Sequence, residues 1–485
     1  MKGVYKTVTH RSMMRKAGGM VTHLLSTWET PEETHGPNAR FSVWVPAETT
    51  CLGRKTPDRC MLHAATACSG AGQHFQGYDM EPRNQEQAAE IIGMDAHSRK
   101  LSLCLARREG DRFFKVRSIA TTLDALETTY LRQLPPGVQT VLEASTNSFE
   151  IVRRLAAIGR DARVLCSDVL SGLSRQDRVN DRIDAENLAL TALRRGSDLR
   201  TVMTPSPRGT EMRETFFAYR DARKDATRAA NRLWSFCSRH GLDLDRRIGK
   251  KRCEEILSEG RKRGWSPPLL ARAQGLADDW LHAHALCDQR ERAIDLEVWN
   301  SPGMIRLQQV QGIRSVGAYA LVAFVEDVRR FATPAKLVSY IGLNPYVNDS
   351  GDGSSRRKVT PFGRADLKSI LVEAAQSAMR SDTPLTRWAK RLLARGKPWN
   401  AVIAAVARKL ATYCWHALMG HPLPSRESEP RTARKLSRLA MRVGREVREA
   451  AGHPTAAHYA TAICSSLYGH LPQKRKKNPK IRKII

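Results

Sequence analysis

Residues 91–105 read IIGMDAHSRKLSLCL, and this stretch decides the architecture. Ile91, Ile92, Gly93 and Met94 form a short apolar run that ends on Asp95. After a polar break, Lys100 to Ala106 alternates polar and apolar side chains, as a strand with two unlike faces does. Arg107-Arg108-Glu109-Gly110-Asp111 makes a turn, and Phe113 to Ile119 reads as a third strand, so the three form an antiparallel meander. Thr122 then caps a helix that runs to about Leu134, where Pro135-Pro136-Gly137 stops it. Val138 to Leu142 is another buried-type strand and ends on Glu143. A helix over Ser148 to Ile158, closed by Gly159, a strand over Ala162 to Cys166, and a helix over Asp184 to Leu193 follow. The order β-β-β-α-β-α-β-α predicts an α/β domain over 89–205, a mixed sheet with helices on its faces.

Outward from this unit the character changes twice. From about Thr210 to Val298, long polar helices rich in Arg, Lys and Glu dominate, with Phe216, Tyr219, Ala226 and Leu233 at helical spacing. They predict a helical or coiled-coil arm over 206–300. A mostly α-helical domain is expected over 301–420. Within it Val310 to Gly317 (VQGIRSVG) resembles the hairpin of a helix-hairpin-helix element, whose backbone N–H groups hold a DNA phosphate. Gly312, Arg314 and Gly317 are its candidate contacts. After Pro422 and Pro424, residues 421–485 read as a basic tail, and the last fifteen residues carry seven Lys or Arg. Residues 1–88, rich in Thr, Gly, Pro and Ser, read as a poorly ordered extension.

Composition narrows the function. The 485 residues carry 80 Lys and Arg against 49 Asp and Glu, a formal charge of +31. Such an excess points to a polyanionic partner, nucleic acid first. No run of 18 apolar residues exists, which excludes a spanning helix and a membrane partner. The N-terminus lacks a secretory pattern, and none of the ten cysteines forms a CxxC pair, so isolated thiols in a reducing cytoplasm are expected.

Four acids stand where phosphoryl chemistry needs them. Asp95 ends the first strand and Glu143 ends the strand after the first helix. In a sheet of this order the first and fourth strands are neighbours, so the two acids converge. Asp181 and Asp184, spaced i,i+3, share a helix face. Four such carboxylates can hold two divalent ions about 3.5–4 Å apart, the arrangement that activates an attacking oxygen and steadies a leaving one. All-oxygen ligands point to Mg²⁺, with Mn²⁺ as the alternative. Asp168, Asp177 and Glu186 are acids of similar type outside this set, and Glu186 is read as facing solvent or pairing with Arg182.

Here a resemblance enters. IGMDAHSRKLSLCL resembles the opening strand pair of the IS110-type transposases, and VLEAS and NDRIDAENLA resemble their next two acidic motifs. LQQVQGIRSVGAYALVAFVEDVRRFATPAKLVSYIGLNPYVNDSG resembles the C-terminal transposase domain of the same family, where a GL-x-P stretch (Gly342, Leu343, Pro345) precedes Ser-Gly (Ser350, Gly351). RRKVTPFGRADLKSILVEAA follows its pattern of a basic turn, a glycine and a helix. The likeness covers about 89–418. Two departures stand out. Gln311 precedes the first hairpin glycine where the family usually has proline, and Pro361-Phe362 precedes Gly363 where it often has lysine.

The resemblance implies a RuvC-like domain of ribonuclease-H fold with a DEDD acid set, here Asp95, Glu143, Asp181 and Asp184, that binds Mg²⁺. It implies Ser350 as a nucleophile that forms a 5′-phosphoserine link to DNA, so that the chain performs strand exchange for an insertion sequence in the bacterial cytoplasm, at the nucleoid. It implies DNA as partner, a structured guide RNA from the same element, and a homodimer that pairs into a tetramer. Arg356, Arg357, Lys358 and Arg364 become phosphate contacts. Two other readings stay open: a RuvC-like metal-dependent nuclease that uses water, and a nucleic-acid-binding protein with a decayed site.

Overall fold

In the computed structural model, which describes residues 89–166, 181–196, 199, 201–243, 248–346, 358–360, 363–422 and 428–469, strand β1 (Glu90–Ala96) lies in the middle of a six-stranded sheet. Its companions are β2 (Lys100–Glu109), β3 (Arg112–Thr122), β4 (Gln139–Glu143), β5 (Ala162–Leu165) and β6 (Thr201–Val202), in the order β3-β2-β1-β4-β5-β6. The first three strands form the antiparallel meander, β1 pairs with β4 and β4 with β5 in parallel, and β6 returns antiparallel. The meander and the β1–β4 adjacency are as the sequence predicts. The two-residue β6 has no periodicity to read. Helices α1 (Leu126–Gln133), α2 (Ser148–Ala157) and α3 (Asp181–Arg195) complete the domain. Thr122 does not cap α1. Its Oγ1 accepts from the Ala125 N–H at 3.3 Å, which turns the chain one step before the helix starts.

The period-2 alternation of a strand sends neighbouring side chains to opposite faces, and both faces of this sheet are covered. Ile92, Met94, Leu101, Leu103, Leu105 and Leu142 pack with Leu126 and Tyr130 of α1 and with Ile151 and Leu155 of α2. Ile91, Cys104, Ala106 and Val141 pack with Ala185, Leu188, Ala189 and Ala192 of α3. Gly93 lies on this second face, and a Cβ there would stand 2.2 Å from the Ala185 carbonyl oxygen and 2.6 Å from the Ala189 nitrogen. Only a glycine lets the helix come this close to the strand. Glu186 does not face solvent alone: Lys115 of β3 donates to it at 2.6 Å.

The arm consists of α4 (Pro207–Arg239), α5 (Lys250–Lys262) and α6 (Pro267–Trp299). The two 33-residue helices are each about 50 Å long at 1.5 Å per residue. At the far end Leu233, Phe236, Cys237, Cys253, Ile256, Leu276 and Trp280 form a separate small core. At the near end Met212, Phe216, Tyr219, Ile294 and Val298 enter the main C-terminal core.

That core is built from α7 (Pro302–Leu307), α8 (Ser315–Val325), α9 (Pro334–Ile341), the short pair β7 (Pro345–Tyr346) and β8 (Lys358–Val359), α10 (Ala365–Ala378), α11 (Pro384–Ala394) and α12 (Trp399–Leu418). It continues into α13 (Glu429–Arg442), α14 (Arg445–Ala450) and α15 (Ala456–Tyr468). The segment expected as a basic tail from 421 is therefore folded over 429–468: Leu436, Leu439, Ala440, Tyr459, Cys464 and Tyr468 are buried in the same core. Between α13 and α14 the chain turns at Gly444, whose φ is 97°. The basic residues at 474–483 and the whole of 1–88 lie outside the described residues. Cys104, Cys237, Cys253, Cys287, Cys414 and Cys464 are free thiols as expected, whereas Cys166 is disulfide-bonded. Among the described residues no helix is long and apolar enough to cross a membrane.

Candidate metal centre

The site forms at the carboxyl ends of β1 and β4, under the first turn of α3. Met94 of β1 is in register with Leu142 of β4, which sets Asp95 beside Glu143. Alternation carries Asp95 and Glu143 to the same face as Gly93 and Val141, the face that α3 covers. Asp181 and Asp184 stand in the first turn of α3, one turn before the Ala185 that Gly93 touches. The helix start also favours negative charge there.

His97 Nε2 lies 3.3 Å from Asp95 Oδ2 and 3.3 Å from Asp181 Oδ1. One ligand atom each from Asp95, His97 and Asp181 fits within a 4.8 Å span that could hold a metal ion. Asp95 is mostly enclosed, with 16% of its side chain exposed, whereas His97 and Asp181 are more than half exposed. The centre is thus a cleft open on one side. Behind it, Asn147 Nδ2 donates to the His97 carbonyl at 3.1 Å, and Ser145 Oγ donates to Asn147 Oδ1 at 3.0 Å. The VLEAS turn thereby holds the backbone that carries the histidine.

The electrostatics tie all four acids into one group. Burial holds the Asp95 carboxyl above its usual range, His97 draws it back, and Asp181 and Asp184 push it up again. Burial also raises Glu143, helped by Asp95 and then Asp184. Carboxylates that raise one another in a partly desolvated cleft are the environment that a divalent cation offsets. The donor set therefore fits the metal expected from the sequence. His97 is absent from the sequence-predicted set because it lies one residue past the end of β1, where strand periodicity no longer applies.

The second predicted constellation separates. Ser350, Gly351, Arg356 and Arg357 lie outside the described residues. For Lys358 only the backbone is described, in β8. The base of that segment is firm: Tyr346 pairs with Lys358, the Thr360 N–H donates to Asn344 at 3.0 Å, and Gly363, at φ 101°, sits where a Cβ would be 2.5 Å from Gly342 Cα. Arg364 is 7% exposed, with its guanidinium 4.3 Å above the Phe324 ring, so it packs inward rather than meeting phosphate. The hairpin glycines are also spent on packing. A Cβ on Gly312 would stand 2.3 Å from the Ala374 carbonyl oxygen, and one on Gly317 would stand 3.3 Å from Ile370. Arg314 alone of that trio remains exposed.

Against this geometry stand the comparisons with known proteins. The family model described as "Transposase IS116/IS110/IS902 family" matches residues 304–390. Over these residues the chain is similar to the IS110-type transposases. It is 25% identical over 296 residues to a "Probable family 20 transposase" of Pseudomonas aeruginosa, covering 60% of this chain and 86% of that one. The transposase for insertion sequence element IS1328 of Yersinia enterocolitica is 23% identical, over 67% of this chain and 95% of its own length. The transposase for IS1111A of Coxiella burnetii is 22% identical, with 71% and 94% covered. The family model spans the β7–β8 pair, while the acid cleft lies before it in the chain.

Proposed function

We propose that this chain is an IS110-type transposase that cuts and rejoins DNA by metal-dependent phosphodiester chemistry centred on Asp95, Glu143, Asp181 and Asp184, with His97 as a further ligand. The observation that carries this reading is the Asp95–His97–Asp181 cluster, in a cleft where burial and neighbouring acids raise the carboxyls of Asp95 and Glu143. A divalent ion bound there would polarise the phosphodiester and neutralise the charge that develops on it. The protein's own part is placement. Gly93 fixes α3 against β1, the sheet register fixes Asp95 against Glu143, and Asn147 fixes the His97 backbone. In the hydrolytic version water attacks phosphorus, the bond to the leaving oxygen breaks, and that oxygen takes a proton.

A second reading keeps Ser350 as nucleophile. What supports it is the anchored base of its segment at Pro345, Tyr346, Lys358 and Val359, inside the stretch that the family model matches. In that version Ser350 Oγ attacks phosphorus, the P–O3′ bond breaks, and a 5′-phosphoserine link and a free 3′-hydroxyl result. Arg356, Arg357 and Lys358 would then contact the neighbouring phosphates.

One denaturing gel separates the two. Labelled DNA bearing the element ends is incubated with Mg²⁺ and with wild type, Asp95→Ala, His97→Ala or Ser350→Ala. Cleavage lost in Asp95→Ala but kept in Ser350→Ala supports the hydrolytic version. A slow-migrating protein–DNA adduct lost in Ser350→Ala supports the serine version. Cleavage that survives Asp95→Ala sinks the metal-centre reading.

A further inference from the structure

Beside the 310–317 hairpin of the C-terminal core lies a cavity of ≈ 130 Å³. Gln309, Gly312 and Arg314 line it from the hairpin, Ser377 from α10, and Arg431 and Lys435 from α13. It is closed by the segment after 421, which the sequence reading set aside as tail and which lies beyond the family-model match.

Its chemistry is one-sided. Lys435 Nζ donates to the Gln308 carbonyl at 2.8 Å and to the Val310 carbonyl at 2.7 Å, which ties α13 to the hairpin and leaves a third N–H. Arg431 donates to the Asp382 carbonyl at 3.4 Å, a long contact that leaves most of its fork unused. The charged side chains that bear on Lys435 are Arg314 and Arg431, both repulsive, and no carboxylate of the described residues is among them. Two arginines beside the Lys435 amine around a polar cavity disfavour its charged form, a cost that an entering anion offsets. The cavity has room for a tetrahedral oxyanion, and Arg314 stands exposed at its edge. The +31 charge of the chain and its likeness to transposases make a nucleic-acid strand the source of that oxyanion.

We propose that Arg314, Arg431 and Lys435 form a binding site for a single phosphate of a nucleic-acid backbone, closed by helix α13. The hairpin thus contributes through an arginine and two carbonyls that position a lysine, and not through glycine N–H groups. This site is independent of the metal centre.

The test uses the full chain in EDTA, so that phosphoryl chemistry plays no part. Binding of duplex DNA and of structured RNA is measured against salt concentration for wild type, Arg314→Ala, Arg431→Ala and the double variant, with thermal melts to confirm folding. Each phosphate contact contributes about −0.9 to the slope of log K on log salt for duplex DNA. Each single variant is expected to flatten the slope by about one, equally for unrelated sequences. The double variant flattens it by no more than that, because both side chains serve one phosphate. The arm that shows the loss, DNA or RNA, names the strand. An unchanged slope in both arms overturns the site. So does a loss of about two in the double variant, which marks two separate surface contacts. Protection by inorganic phosphate in the melts, with the nucleic-acid slopes unchanged, overturns it in favour of a free-anion pocket.

Discussion

The acid cleft and the C-terminal hairpin each rest on a glycine pressed against a helix backbone, yet the two gather side chains of opposite charge. At Gly93 the close approach brings α3 down onto β1, and the residues just beyond the contact on both elements are acids: Asp95 on the strand, Asp181 and Asp184 on the helix. At Gly312 the approach is equally tight, against the Ala374 carbonyl, but what it brings together is mostly apolar core. The glycine is therefore a packing device in both places. What distinguishes them is the sign and source of the charge. The first gathers acids from β1 and α3, whereas in the second Arg314 follows Gly312 by two residues and Arg431 and Lys435 arrive from α13, more than a hundred residues later in the chain.

This comparison can be broken most sharply at the acids. Asp95→Ala should lower the rate of DNA cleavage on the order of a thousandfold, as loss of a central charge-stabilising group does, while leaving the slope of salt-dependent DNA binding unchanged. A fall in binding parallel to the fall in rate would mean that the cleft serves mainly to hold DNA. Next in size are the glycines. Gly93→Ala and Gly312→Ala should each cost roughly 2–4 kcal/mol in urea unfolding, since backbone on a helix cannot yield to an added methyl. The Gly312 variant also carries the strain of a φ of 80°. Only Gly93→Ala should also abolish the rise in melting temperature that Mn²⁺ produces. If Gly312→Ala did so too, the two regions would be one cooperative site.

A smaller effect is expected at His97. Imidazole suits Mn²⁺ better than Mg²⁺, so His97→Ala should weaken Mn²⁺ binding about tenfold, the lower end of what losing one supporting group costs a metal site, and leave Mg²⁺ binding nearly unchanged. Isothermal titration with each ion decides it, and equal loss for both would make His97 a general positioning group. The smallest effect concerns pH. Burial, then Arg314, brings the Lys435 amine down to about 7. The unfolded chain therefore binds more protons than the folded one between pH 7 and the ordinary lysine range, and stability should rise as pH rises through that window. Lys435→Met should flatten this rise. A wild-type profile that falls over pH 7 to 9 relative to the variant would show the amine charged and paired.

Much of the α/β domain was legible because period-2 runs punctuated by Gly and Pro leave few alternatives, and because the strand order itself puts β1 beside β4. The acids followed from their positions at element ends. His97 escaped because it lies past the strand, where periodicity stops speaking. Residues 429–468 escaped for another reason: Arg and Lys between Leu436, Leu439 and Val443 hide an apolar stripe spaced by three and four. Arg364 and Gly312 show why packing is hard to read in sequence: a basic residue or a glycine looks the same whether it faces phosphate or packs inward. Only the ring of Phe324 and the carbonyl of Ala374, both distant in the chain, settle their roles.

The root of the arm depends on a residue made much later. Asp295 of α6 is 1% exposed, and its guanidinium partner is Arg442 of α13, which also reaches Asp288 at 3.2 Å and Glu291 at 3.7 Å on the same helix. During synthesis the helix emerges almost 150 residues ahead of that arginine. Until it arrives, burying Asp295 means burying a lone carboxylate, which is strongly unfavourable. The nascent chain is thus held short of its final arm geometry until translation has passed position 442.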